Sequence, residues 1–132
     1  MEKLFNIYSV VIAVIGGILT QIFGGFDVIL KVLIVMIVLD YATGIIKGIY
    51  NKNLSSEIGW KGLLKKILTL IIVVMANVLQ IALGDAVPLR EVVIMFYIAN
   101  EGISLLENAA DIIPLPEQLK SVLLQIRNKN KE

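Results

Sequence analysis

Residues 28–46 read VILKVLIVMIVLDYATGII. Twelve apolar-rich residues run from Val28 to Leu39, and apolar residues resume beyond Asp40. A membrane helix needs about 20 mostly apolar residues, so the stretch predicts a transmembrane helix with a carboxylate inside it. An ionisable group near the middle of a span costs about 2.5–3.5 kcal/mol on insertion scales and is a functional hypothesis by default. At 3.6 residues per turn, Asp40, Thr43, Gly44, Lys47, Gly48 and Asn51 share one side of this helix. The Gly44-x-x-x-Gly48 pair permits close helix packing. Asp40 has a structural reading as well, as a lock paired with Lys47 or with a neighbouring helix.

Outward from this span, three more segments qualify by the same criterion. Phe5–Phe23 precedes it, and Ile67–Leu83 and Val87–Leu106 follow. The first is long and has no A-x-A-like cleavage site after it, so it is expected to be a retained anchor. The last is interrupted by Arg90, Glu91, Asn100 and Glu101, which leaves three spans as the alternative to four. Gly24-Gly25 and the stretch Gly84–Pro88 make short links. The middle connection, about Lys47–Lys66, is longer and carries Lys47, Lys52, Lys61, Lys65 and Lys66. Within it, Ile58, Trp60, Leu63 and Leu64 predict a short helix on the membrane surface, with Trp60 as an interfacial anchor. After Pro114 and Pro116, Leu119, Val122, Leu123 and Ile126 follow helical spacing. They predict an amphipathic tail over residues 117–128, ending in the basic run Arg127, Lys129, Lys131.

Composition agrees with this reading. Hydrophobic residues make up 58% of the 132 and charged residues 17%, against roughly 45–50% and about 25% in soluble globular domains. So short a chain buries only about two-thirds of its surface in water, which would leave large apolar patches that lipid can solvate instead. The fold expected is one all-α integral membrane domain over residues 1–132, with four transmembrane helices and the C-terminal amphipathic helix. Cysteine and histidine are absent. That excludes thiolate nucleophiles, disulfides, imidazole bases and the usual zinc sites. No P-loop, dinucleotide fingerprint or nucleophile elbow is present. Asp40 and Asp85 fall toward opposite membrane faces, so they cannot form an aspartyl pair. Neither an enzyme, a cofactor nor a metal centre is expected. A net charge of +1 gives no reason to expect nucleic acid as a partner.

The basic residues set the orientation. With four spans, Lys3, the five loop lysines, Lys120, Arg127, Lys129 and Lys131 share one side, against Lys31 and Arg90 on the other. Ten against two predicts that both termini are cytoplasmic. Lys61, Lys65, Lys66, Arg127, Lys129 and Lys131 are expected to face lipid headgroups.

The fourth segment repeats the polar pattern of the second. Asn100, Glu101, Ser104, Glu107, Asn108 and Asp111 fall within an arc of about 120°. Such a stripe must face another helix, a water-filled path or the membrane surface. Asn77 and Gln80 in the third segment are expected to satisfy bonds between helices.

The runs Leu39-Asp40-Tyr41-Ala42-Thr43-Gly44-Ile45-Ile46-Lys47, Leu54-Ser55-Ser56 and Gly59-Trp60-Lys61-Gly62-Leu63-Leu64-Lys65-Lys66 resemble the holin family of phage lysis and clostridial toxin secretion. Phe96-Tyr97-Ile98-Ala99-Asn100-Glu101-Gly102-Ile103-Ser104-Leu105-Leu106-Glu107-Asn108 is similar to that family's second signature. Together with the Pro114, Pro116 ending they cover about Asp27–Arg127. The resemblance implies a protein of the bacterial cytoplasmic membrane that self-associates and opens lesions at a set time. Those lesions would release a murein hydrolase or a large toxin lacking a signal peptide. Asp40, Ser55, Ser56, Lys66, Asn100, Glu101, Ser104, Glu107 and Asn108 fall on the family's polar positions. Asp40, Thr43, Gly44, Lys47, Asn100, Glu101, Ser104, Glu107, Asn108 and Asp111 are the pore-lining or switch candidates, with Gly44 and Gly48 as packing positions. Two other readings stand beside this one: an antiholin that inhibits a lytic partner, and a non-lytic small channel or assembly subunit.

Overall fold

A computed structural model describes residues 1–131, apart from the side chains of Arg127, Asn130 and Lys131. It is all-helical over these residues: α1 Glu2–Ile22, α2 Val28–Tyr50, α3 Ser56–Ala82, α4 Leu89–Ala110 and α5 Glu117–Lys131. The starts of α2 and α3 are set by side-chain caps. Asp27 accepts a bond from the Leu30 amide and Ser55 one from the Ile58 amide, each at 3.2 Å, which satisfies donors a helix start otherwise leaves free. Three helices, α1, α2 and α3, are long and apolar enough to cross a membrane. The protein is an all-α membrane protein.

The third apolar segment begins earlier than its sequence pattern predicts. Instead of a surface helix followed by a span at Ile67, one helix of 27 residues runs from Ser56 to Ala82. At 1.5 Å per residue it is about 40 Å long, more than the roughly 30 Å of hydrocarbon. Gly59 and Gly62 do not break it, because the Tyr41 ring lies against them and its hydroxyl donates to the Gly59 carbonyl at 3.1 Å.

α2 and α4 run parallel. Arg90 at the start of α4 meets Asp27 at the start of α2, and Asp111 at the end of α4 meets Lys47 near the end of α2. α3 connects them and packs on both. Leu30, Leu33 and Ile37 from α2, Val73 from α3, and Ile94 and Ile98 from α4 form the core between the three helices. Their spacing of three, four or seven along each helix is that of one buried face. α1 stands apart, with none of its residues buried and Ile12 and Val10 68% and 62% exposed. Such a surface is at home in lipid.

The expected amphipathic tail forms α5, which extends to Lys131 and folds back along α4. Gly102 makes room for it: a Cβ there would lie 2.9 Å from Leu123 Cδ1 and 2.9 Å from Met36 Cε. Gly44 faces another helix, α4, whereas Gly48 does not. A Cβ on Gly44 would meet Asn108 in ordinary contact at 3.6 Å, while Gly48 accommodates Leu54 of the α2–α3 loop. The sharp return of the chain after α2 puts that loop, and no other helix, against Gly48.

Candidate functional site

Two polar centres lie between the helices, one at the starts of α2 and α4 and one about midway along them. The inner one is built around Asp40. It is 4% exposed, and both its carboxylate oxygens have partners: Lys66 Nζ donates to Oδ2 and Asn108 Nδ2 donates to Oδ1 at 3.0 Å. Lys66 Nζ also donates to Oε2 of Glu101, whose side chain is 8% exposed. One lysine from α3 thus bridges carboxylates from α2 and α4. Asn108 Nδ2 also reaches Thr43 Oγ1 at 3.2 Å, and that hydroxyl donates to the Asp40 carbonyl at 2.9 Å.

The formal charges of this trio sum to −1, because one ammonium serves two carboxylates. A buried ion pair is tolerated only when geometry and further hydrogen bonds offset the loss of hydration, and here those bonds come from three helices at once. Beside the trio is a cavity of about 190 Å³ whose lining includes Asp40, Tyr41, Gly44, Lys66, Ser104 and Asn108. Its lining is mostly apolar, with Asp40, Lys66, Ser104 and Asn108 as its polar groups, and it is large enough to admit water.

The structure thus brings Asp40, Thr43, Gly44, Glu101, Ser104 and Asn108 to one place. Lys47 and Asp111 pair at 2.8 Å on a half-exposed rim, so Lys47 is not the partner of Asp40. Asn100 is half-buried outside the cluster and Glu107 is exposed on the side toward α5. Lys66 departs from its expected headgroup position. Because α3 begins at Ser56, Lys66 is eleven residues into a continuous helix and turned inward, with its side chain 17% exposed. Lys61 pairs with Glu57 at 3.0 Å on the surface, Lys65 and Lys129 are exposed, and Trp60 is 60% exposed near the start of α3. The side chains of Arg127 and Lys131 lie outside the described residues.

The second centre surrounds Arg90, which the sequence pattern shows as an interruption of the fourth segment and as one of two basic residues on the side opposite the termini. Its guanidinium grips Asp27 with two bonds, at 2.8 and 2.9 Å. It also donates to the carbonyls of Phe23 and Gly25 at the end of α1, which a helix C-terminus leaves without intrahelical partners. The Arg90 amide donates to Gln80 Oε1 at 2.9 Å, and Asn77 Nδ2 donates to the Ile22 carbonyl at 2.9 Å. Asn77 and Gln80 do make the expected bonds between helices. Gly24 sits in the middle of this clasp at φ +80°, where a Cβ would collide with Asn77 Oδ1 and come within 2.7 Å of Arg90 Nε. Bonding to Arg90 holds the Asp27 carboxyl below its ordinary value. The signals for this centre were a capping residue before an apolar run and a lone arginine after Pro88.

Residues 17–128 match the profile of the bacteriophage holin family. The chain is similar to an uncharacterized 14.9 kDa protein in the nagH 3′ region of Clostridium perfringens, at 44% identity over 98% of this chain and 99% of that protein. An uncharacterized protein of Listeria monocytogenes is 42% identical over 89% of this chain and 84% of its own. A probable holin of Bacillus phage phi105 is 33% identical over 76% of each chain. No solved structure matches. The match covers α2, α3 and α4 and both polar centres they hold, and on that ground the chain belongs to the bacteriophage holin family.

Proposed function

We propose that this protein is a holin that opens lesions in the bacterial cytoplasmic membrane, and that the Asp40–Lys66–Glu101 trio is its switch. The observation that carries this reading is a surplus carboxylate charge, buried among three helices beside a cavity that Asp40, Lys66, Ser104 and Asn108 help to line. In the quiet state the trio is satisfied inside one subunit. As copies accumulate, the same polar faces of α2 and α4 turn toward a shared aqueous opening, where water replaces the internal partners. Two packings of similar free energy suffice for such a transition. A fall in membrane potential tips it, since one charge moved across 100 mV is worth about 2.3 kcal/mol.

This mechanism has α4 cross the membrane as a fourth span, with both termini cytoplasmic. The parallel register with α2, from Asp27–Arg90 to Lys47–Asp111, supports it: α4 matches α2 over about 30 Å. The bonded partners of Arg90 and Glu101 offset much of the penalty for their charges. The cargo is a murein hydrolase or a toxin without a signal peptide, and the partner in assembly is a second copy of the chain.

The test is to induce the protein in bacteria that also make a murein hydrolase lacking any export signal, and to follow turbidity. An abrupt collapse that needs both proteins is the expected result. Steady growth with the protein confirmed in the membrane would favour an antiholin or a closed channel-like assembly.

A further inference from the structure

Gly102 is buried on α4 immediately after Glu101, and side chains from two other helices meet above it. A Cβ there would lie 2.9 Å from Leu123 Cδ1 of α5 and 2.9 Å from Met36 Cε of α2, closer than carbon atoms pack. The residues on either side, Glu101 and Ile103, carry large side chains and lie about 100° away around the helix. A turn of α4 about its axis that draws Glu101 away from Lys66 brings one of these side chains toward the place Gly102 leaves open. That place has no room even for a methyl group while Met36 and Leu123 stay where they are. Glu101 is bonded to Lys66 in this same arrangement, so the notch is engaged while the trio is closed.

The two tips are held differently. Met36 packs against the core of the bundle. Leu123 belongs to a helix that packs on α4 alone among the described elements and fully buries none of its described side chains. On that helix Leu119 and Val122 are 47% and 53% exposed. Toward the Pro114–Pro116 link, a cavity of about 210 Å³ opens between α5 and α4, with Leu106, Glu107, Glu117 and Lys120 in its lining.

We infer that Gly102, Met36 and Leu123 form a catch that holds α4 in its quiet rotation, and that α5 is its releasable arm. α4 cannot turn beneath both tips, and of the two only Leu123 can withdraw without opening the core. Nor can α5 ride along on α4, because Leu123 would have to pass Met36 above the same point. Release of α5 therefore precedes the turn of α4, which gives the C-terminal helix control over when the trio opens.

The inference rests on the holin reading, and its experiment keeps the two separable. The chain has no cysteine, so Met36→Cys with Leu123→Cys places one thiol on each arm of the catch and leaves Gly102 untouched. The full chain carrying both is joined by a short bis-maleimide in mild detergent. It is then added to vesicles of phosphatidylethanolamine and phosphatidylglycerol loaded with a folded fluorescent protein. Each single variant, treated with the same reagent, is the control, and flotation checks that equal amounts reach the membrane. The joined protein should retain the contents several-fold longer than either single variant. Leu123→Ala, which shortens the arm, should release them several-fold sooner than the parent. Joined protein that leaks as fast as the single variants, a pair that the reagent fails to join, or Leu123→Ala no faster than the parent would each overturn the catch. A parent chain that never leaks would fail the holin reading itself.

Discussion

The Arg90 clasp and the Asp40–Lys66–Glu101 trio use similar parts to opposite effect. Each sets one cation against two carboxylates. At the clasp, Asp27 and Glu91 have side chains 47% and 44% exposed, so water reaches both carboxylates even though one Glu91 oxygen, Oε2, is buried without a partner, and Arg90 uses its other donors on the carbonyls that end α1. At the trio, Asp40 and Glu101 are 4% and 8% exposed, and the surplus is held in the bundle. A charge that water already stabilises gains little from rearrangement, whereas a buried surplus gains much. The clasp is accordingly a fixed joint and the trio the point at which the structure can change.

Removing the cation from each centre should separate them most clearly. Lys66→Met leaves two buried carboxylates without a counter-charge and should destabilise the detergent-solubilised protein by about 3–5 kcal/mol, read as a lowered melting temperature and reduced insertion. Arg90→Gln should cost less, about 2–3 kcal/mol, because water can reach Asp27 and Glu91 in place of the guanidinium. Its distinct signature is a loosened α1, seen as new protease cleavage near Gly24-Gly25. Equal losses in the two variants would contradict the contrast drawn here.

Gly24→Ala sharpens the comparison from the backbone side. It places a side chain at φ +80° against Arg90 and Asn77, and should cost about 1–2 kcal/mol while leaving the trio intact.

The smallest effect is that of pH on the clasp. The folded Asp27 carboxyl titrates below its ordinary 3.8, so it contributes stability that is fully present above that value. The contribution is lost as pH falls through the lowered value. Melting temperature measured against pH should therefore drop more steeply below about pH 4 in the parent protein than in Asp27→Asn.

Much of this fold could be read from the chain. Apolar-rich runs of membrane length point to α1 and α2, and the polar arcs on α2 and α4 bring Asp40, Thr43, Glu101, Ser104 and Asn108 forward as candidates. The partner of Asp40 could not be read, because Lys66 is 26 residues from Asp40 and 35 from Glu101. A lysine near the border of an apolar run looks like a headgroup residue until the helix start is fixed at Ser55. Arg90 was hidden for a related reason. In one dimension it interrupts a span, whereas in the bundle its guanidinium meets the α1–α2 turn, some 65 residues earlier. α1, the cleanest apolar segment, buries nothing, and α4, the least apolar of the four, carries the most buried residues. Hydropathy reports what faces lipid; it cannot report which charges have found one another.

The account turns on the surplus charge of the trio, and the most direct measurement is the time from induction to lysis in Glu101→Gln and Asp40→Asn. Either change leaves Lys66 with one carboxylate and should stabilise the quiet packing. Both variants should therefore insert at parental levels and trigger later than the parent. Lysis at the parental time in both, with insertion intact, would contradict the claim that this trio is the switch.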